Sequence, residues 1–200
     1  MKISQYANAT PLGVSSKLIG TNVSADDETA NFTIADVLQL GDAYYAPNDF
    51  GSFHDTTTQT VTSGQIAAMK YNVTTNSNNV SIGLDGSSNP NKITFVNGGV
   101  YNIQFSAQVY RASGGNDAKV SIWLRVDGVD VPNSATHITL KANSNYVVAA
   151  WNFFQEVLNG SYAQIMWSQD DTISLLHEAA DTVLPHPAVP SVILTVNRVY

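Results

Sequence analysis

From about residue 65 to the C-terminus, apolar residues recur with a period of two. Between residues 101 and 109 every odd position is apolar and every even position is polar, directly after the Gly98-Gly99 pair. Residues 120–126 also alternate, with the aliphatic residues at the even positions. Strict alternation is typical of a β-strand with one buried face, and glycine pairs are typical of the turn before it. The pattern therefore predicts strands in both segments.

Two dipeptides indicate tight turns between predicted strands. Asp127-Gly128 predicts a hairpin that leads into Val129 and Val131. Asn159-Gly160 predicts a second hairpin, which joins the apolar segment 147–158 to residues 162–167.

The segments 147–158 and 191–199 are apolar on both faces. In an isolated antiparallel sandwich one face of each sheet meets water, so burial on both faces suggests contact with another subunit. Strands recur at the spacing expected of a sandwich or barrel, and helix is nearly absent. The expected fold class is all-β, a jelly-roll β-sandwich of about ten strands with a short N-terminal attachment segment.

The first 40 residues have a different pattern, with short apolar groups between polar turns. Residues 31–40 read as a strand that passes into a short helix. Thr33 is the expected N-cap, Asp36 lies in the favourable first turn, and Gly41 ends the helix. Too few large side chains are present for an independent core, so the segment must dock on something.

These patterns divide the chain into three parts. Residues 1–40 form an attachment segment, residues 41–63 a hinge and entry strand, and residues 64–200 a jelly-roll knob. Thr56 to Thr62 reads as an extended edge within the hinge.

The composition narrows the possible functions. Charged residues are 12% of the chain, against about 25% in typical domains, and 19 Asn, 19 Ser and 17 Thr take their place. The absence of cysteine excludes disulfides, thiolate metal sites and a cysteine nucleophile. Only 9 Lys and Arg are scattered along a chain of net charge -7, which disfavours nucleic-acid binding. No apolar run reaches the ~20 residues that span a bilayer, and the start lacks a signal core, so we expect no membrane insertion.

Catalytic motifs are weak. Residues 86–90 resemble a nucleophile elbow but lack its last glycine. His177-Glu178 with Asp181 resembles a zinc motif that works only on a helix, yet it precedes a proline-containing loop. Asp170-Asp171 is read as a turn and not as a cation site. Because the acids are scattered, no glycosidase-like carboxylate pair can be named. We expect no enzyme, no cofactor and no metal.

Five ordered strings in the C-terminal part carry a family resemblance. They lie at residues 93–105, 120–128, 149–153, 165–168 and 190–196, and the spacing of Phe, Gly, Tyr and Phe in the first is the most specific. The strings resemble the trimeric jelly rolls of the C1q and tumour-necrosis-factor-like class, and are most similar to knob domains of tailed-bacteriophage structural proteins. Residues 2–40 are similar to N-terminal attachment segments of phage fibre proteins.

The resemblance implies a homotrimer in which one sheet faces the threefold axis. That sheet would include strands like 100–110, 147–157 and the C-terminal strand, with Tyr101, Ile103 and Phe105 pointing into the sandwich. The expected trimer-interface residues are Asn102, Gln104, Ser106, Gln108, Phe154, Val192 and Leu194. The expected attachment residues are Leu18, Ile19, Phe32, Ile34, Val37 and Leu38.

The sequence therefore favours a virion structural protein: a homotrimeric head-fibre, tail-fibre or decoration knob, anchored by its N-terminus to a capsid, collar or tail protein. The alternative is a receptor- or glycan-binding knob that mediates host adsorption. Arg111 and Trp123 are its candidate contacts, and a host surface glycan its partner. Its specificity would come from four loops, at residues 84–92, 111–118, 130–136 and 169–190. An enzyme such as a glycan depolymerase is the third hypothesis.

Overall fold

A computed structural model describes residues 16–22, 28–37, 49–142 and 145–199. The chain forms two compact units, Met1–Pro47 and Asn48–Tyr200. Within the described ranges, no helix is both long and apolar enough to cross a bilayer.

The N-terminal unit contains a hairpin and a helix. β1 (Lys17–Asn22) pairs antiparallel with β2 (Glu28–Thr33), and the described part of the helix covers residues 34–37. The Thr33 hydroxyl accepts the Asp36 backbone N–H at 3.0 Å. The Asp36 carboxylate in turn accepts the Thr33 backbone N–H at 2.8 Å, which lowers the pKa of Asp36. This reciprocal cap confirms the predicted passage from strand to helix at Thr33; β1 was not predicted.

The second unit, here called the sandwich unit, is built from two antiparallel sheets. Sheet 1 contains, in spatial order, β13 (Tyr146–Val157), β9 (Gly99–Arg111), β16 (Val192–Arg198), β3 (Phe50–Asp55) and β6 (Val73–Asn78). Its short strand β15 (Ile173–Leu175) also pairs with β9, and β4 (Gln59–Thr60) pairs with β15.

Sheet 2 contains β12 (Thr136–Leu140), β10 (Ala118–Val126), β14 (Tyr162–Gln169), β8 (Pro90–Phe95) and β7 (Val80–Leu84). The short strand β11 (Val129–Asp130) pairs with β10, and β5 (Ile66–Ala68) pairs with β14. Among the described strands the chain changes sheets eight times: from β4 to β5, β5 to β6, β6 to β7, β8 to β9, β9 to β10, β12 to β13, β13 to β14 and β14 to β15. These crossings give the two-sheet arrangement of a jelly roll and confirm the predicted fold class.

One predicted hairpin is present and the other is not. Asp127 and Gly128 have φ values of 47° and 82°, as the two-residue turn between β10 and β11 requires. The Asn159-Gly160 hairpin was a wrong prediction, because β13 and β14 lie in different sheets. There the Ser161 N–H donates to the Leu158 carbonyl at 3.1 Å, and this turn carries the chain from one sheet to the other.

The core lies between the sheets and follows the predicted alternation. The odd-numbered residues 101–109 of β9 are buried, as are residues 120, 122 and 124 of β10. Phe105 packs edge-on against Trp151 with ring centroids 4.7 Å apart. Trp167, the largest fully buried side chain among the described residues, belongs to this core cluster. Burial of these large apolar groups is the main stabilising contribution to the sandwich.

Residues 50–55, which the sequence pattern placed in the hinge and entry segment, form β3 inside sheet 1. β3 pairs with β16 on one side and with β6 on the other. Gly51 lies against the Phe53 ring, and a Cβ at this position would overlap the ring. A glycine is therefore needed where β3 passes this aromatic side chain.

A buried carboxylate joins the start of the sandwich unit to its end. Asp49 is 2% exposed and accepts hydrogen bonds from Asn79 at 2.8 Å and from the Tyr101 hydroxyl at 3.1 Å. It also accepts from Asn97 and forms an ion pair with Arg198 at 3.5 Å. Burial, together with the bond to Asp49, raises the pKa of Tyr101. Asp49 thus connects β9, β16 and two turns through one side chain.

Candidate functional site

The outer face of β13, β9 and β16 exposes large apolar side chains together with amides; we call it the outer face of sheet 1. Phe154 is 65% exposed, and Tyr146, Val148 and Ile193 are also exposed there. Phe154 lies opposite Asn102 in the register, and Val148 lies opposite Gln108. Apolar and amide side chains therefore alternate across the same surface.

The amides on this face are connected by hydrogen bonds. Asn152 donates to the Asn102 oxygen at 3.0 Å, and Asn102 donates to Asn197 at 3.4 Å. The Thr195 hydroxyl donates to Gln104 at 3.5 Å. This network extends across all three strands and fixes side chains that would otherwise lose rotamer freedom on binding.

The outer face of sheet 1 carries almost no charge. Among the outward positions of β13, β9 and β16, which are described throughout, only Glu156 is charged. Small side chains at Ser106 and Ala150 leave a depression of about 350 Å³ at its centre. Protein interfaces are depleted in charge at their centres and enriched in aromatic residues. The arrangement is suited to burial against another protein surface.

Most of the predicted interface residues lie on this face. Residues 102, 104, 106 and 108 point outward because their neighbours on β9 are buried, and Phe154 is outward on β13. Val192 and Leu194 are corrections: both are 0% exposed and face the core, whereas Ile193 and Thr195 face outward. The continuous apolar run 192–194 has no alternation that would fix which residues point inward.

The predicted attachment residues lie in the N-terminal unit. Leu18 and Ile19 are in β1, Phe32 is in β2, and Ile34 and Val37 are in the helix. Phe32 and Ile34 are half-buried and Val37 is exposed, whereas Leu38 lies outside the described residues. Their role in attachment stays a prediction.

Arg111 is not a receptor contact, because the structure buries it to 1% exposure. Its guanidinium forms an ion pair with Asp171 at 3.1 Å and donates to the carbonyls of Asn116 and Lys141 at 2.8 and 3.2 Å. These bonds hold three loops at one end of the sandwich. The guanidinium, for which Arg111 was a candidate contact, binds groups inside the fold instead.

Trp123 lies on the outer face of sheet 2, as the strand alternation predicted. Its indole N–H donates to Asp130 at 2.7 Å, and Arg125 Nε donates to the same oxygen at 2.7 Å. The two bonds, first that from Arg125, lower the pKa of Asp130. Both side chains are therefore held in defined positions on the surface of sheet 2.

Beside Trp123 the structure contains a groove that the sequence did not predict; we call it the sheet-2 groove. It has a volume of about 480 Å³ and crosses the outer face of β10, β14 and the segment after β5. Arg125 lies opposite Gln164, and Met166 lies opposite Ala68. Continuation of that register places Lys70 on the far side of Gln164. The groove therefore has a cation on each side of a central amide.

The backbone of Lys70 is clamped by a buried amide. The Lys70 N–H donates to Gln59 Oε1 at 2.8 Å, and Gln59 Nε2 donates to the Lys70 carbonyl at 2.9 Å. Gln59 therefore acts as a substitute for a neighbouring strand. This clamp fixes the point from which the Lys70 side chain leaves the sheet.

Buried polar side chains form the floor of the sheet-2 groove. Gln164 and Asn91 are 8% and 7% exposed, and Gln164 donates to the Asn91 oxygen at 3.0 Å. Asn91 donates to Asp85 at 2.7 Å. The chain from Asp85 to Gln164 orients the central amide.

Asp85 holds the loop that leads into β8, the strand that contains Asn91. One carboxylate oxygen accepts the backbone N–H groups of Ser87 at 2.8 Å and Asn89 at 2.9 Å. These bonds, first those from Asn89, lower the pKa of Asp85 to about 2. The carboxylate is therefore ionised and saturated with donors at neutral pH.

Lowering the pH should release this loop when the Asp85 carboxylate is protonated. Because the folded pKa of Asp85 is about 2, the hydrogen bonds are complete above the ordinary value near 4 and are lost as the pH falls through about 2. Amide resonances of Ser87 and Asn89 should shift with that midpoint in NMR titrations. Asp85→Asn should remove the transition, and a midpoint near pH 4 in the wild type would contradict the assignment.

Comparisons with known proteins find similarity among solved structures. No family model matches the chain, and no curated protein matches it. The globular domain of zebrafish complement 1qA protein superposes with a TM-score of 0.43 at 12% sequence identity. The match covers 77% of this chain and 98% of that one.

Proposed function

We propose that the chain is a homotrimeric fibre or decoration knob of a tailed-bacteriophage virion, joined to a capsid, collar or tail protein by residues 1–40. The observation that supports the trimer is the outer face of sheet 1, which exposes Phe154, Val148 and Ile193 beside uncharged amides. The protein would act by assembly and display.

A second copy of the chain is the occupant that this face favours. Asparagine and glutamine each offer both donors and acceptors, so an amide surface can be complementary to an identical surface without opposite charges. β13 pairs with β9 on one side and with no described strand on the other, which places Phe154 at the rim of the sheet. Closed rotational symmetry lets three such rims meet around one axis.

Attachment is assigned to the N-terminal unit for two reasons. It forms a compact unit of its own, and residues 2–40 resemble attachment segments of phage fibres. The exposed Val37 on its helix supplies an apolar contact for a particle protein.

Deletion of residues 1–40 should leave a soluble trimer that no longer joins particles. The full-length variant Val37→Asp retains both units and should also be incorporated into particles less efficiently. Incorporation is measured by quantifying the protein in purified particles after complementation. If the truncated protein is incorporated at the level of the full chain, the assignment of residues 1–40 is wrong.

A receptor- or glycan-binding knob is the second candidate, and the sheet-2 groove favours it. The groove lies on the sheet opposite to the proposed trimer face, so the same molecule can assemble and bind. Adsorption of purified protein to host cells, with and without enzymatic removal of their glycans, tests this candidate.

A further inference from the structure

We propose that the sheet-2 groove binds a saccharide unit that carries a carboxylate, such as a hexuronic acid. This inference names the ligand class for the second candidate function and rests on it. It does not depend on the trimer, because Arg125, Gln164 and Lys70 belong to sheet 2 or to its connecting segments. Gln59, in β4 of sheet 1, only holds the backbone of Lys70.

Two cations lie close enough to share one carboxylate. Arg125 and Lys70 occupy the same row on either side of Gln164, and strands about 4.8 Å apart place their Cα atoms roughly 10 Å from each other. The chain has only 9 basic residues, so two in one groove are a notable concentration. A planar guanidinium binds a carboxylate through two parallel hydrogen bonds.

Each of these cations keeps donors that have no partner among the described residues. Arg125 uses Nε for Asp130, and its terminal nitrogens have no partner in the described part of the chain. Lys70 makes no ion pair within the same ranges. The nearby acid Asp85 is already saturated by its own loop. An incoming carboxylate therefore does not have to displace an internal one.

A fixed acceptor faces the same space. Gln164 donates from Nε2 to Asn91, which fixes the orientation of its amide, and no described donor reaches its Oε1. A sugar hydroxyl can donate to this oxygen. Rotation of the Gln164 amide would break its hydrogen bond to Asn91, whose own orientation is set by its hydrogen bond to Asp85.

The opposite wall of the groove is apolar. Ile66 is 55% exposed, and Met166 and Ala68 lie beside it. One side of a pyranose ring presents C–H groups while its edge presents hydroxyls, which matches an apolar wall facing a polar one. An inorganic anion would leave Ile66 uncovered, and a neutral sugar would leave Lys70 without an anionic partner among the described residues.

The test is a titration of the full-length protein with methyl glucuronide, with methyl glucoside as the neutral match and with inorganic phosphate as the free anion. NMR should show shifts of the Gln164 side-chain amide, and the glucuronide should bind about tenfold or more tightly than the glucoside. Lys70→Met should lower glucuronide affinity about tenfold, because it removes a charged donor. The backbone clamp to Gln59 is retained in this variant. Arg125→Met should do the same, and Lys119→Met, at an exposed position of the same strand, should change nothing.

Several results would overturn the inference. Equal affinity for both sugars would show that the groove does not recognise the carboxylate. Phosphate binding as tight as that of the glucuronide would show that it does not recognise the sugar ring. If neither sugar shifts the Gln164 amide resonance, the groove is not a saccharide site. If glycan-dependent adsorption to host cells persists in these cases, the second candidate function stands and only the ligand assignment fails.

Discussion

Phe154→Glu should convert the proposed trimer into monomers at micromolar concentration. Phe154 is 65% exposed in the single chain and lies at the rim of the outer face of sheet 1. Near a threefold axis the substitution would bring three carboxylates into one desolvated region. An unpaired buried charge costs several kcal/mol, so three copies should lower the association constant by well over a hundredfold. Light scattering after size-exclusion chromatography measures the resulting mass.

The matched control is Val129→Glu. Val129 is 70% exposed in β11 of sheet 2, so introducing the same charge there should leave the mass unaltered. Circular dichroism should show both variants folded, because substitutions at exposed positions usually change stability little. A Phe154→Glu protein with the mass of the wild-type trimer would show that this face is not the interface.

Asp49→Ala should destabilise the sandwich unit by about 2–4 kcal/mol, because buried donors lose their charged acceptor and each such loss costs about 1–3 kcal/mol. The substitution leaves the side chains of Asn79 and Asn97 without the carboxylate to which they donate. It also removes one of two acceptors near the Tyr101 hydroxyl, whose other acceptor is the Asn97 carbonyl at 2.8 Å. It also removes the ion pair between the start of the unit and Arg198 in its last strand. Urea denaturation at one fixed protein concentration measures the free energy of unfolding.

Asp117→Ala is the control for that measurement. Asp117 forms an exposed ion pair with Lys141 at 2.7 Å, and such pairs contribute about 0–1 kcal/mol. Asp49→Asn should fall between the two, since an amide oxygen still accepts from Tyr101. Equal destabilisation by Asp49→Ala and Asp117→Ala would mean that the buried network is not a main determinant of stability.

The alternation of residues 101–109 was sufficient to predict β9 and its inward and outward faces. It was sufficient because one face of that strand is buried and every second residue reports it. Residues 192–194 have no such alternation, so the orientation of β16 is decided by its register with β9, in which Ile193 pairs with Ser106. The Asn159-Gly160 turn was misread because local turn chemistry does not specify which sheet the next strand joins.

The two candidate sites differ in how far the sequence could reveal them. The amides of the outer face of sheet 1 follow from the alternation of one strand. The sheet-2 groove does not, because Lys70, Asn91, Arg125 and Gln164 are distant in sequence and meet only through strand pairing. For Arg111 the sequence indicated an exposed contact where the structure has a buried side chain. A charged residue next to a loop can be buried when three loops supply its acceptors.

The mass of the full-length wild-type protein in solution tests the central claim most directly. At micromolar concentration, light scattering should give three times the 21.5 kDa of the chain. A mass equal to that of one chain at the same concentration would contradict the trimer and, with it, the function assigned to the outer face of sheet 1.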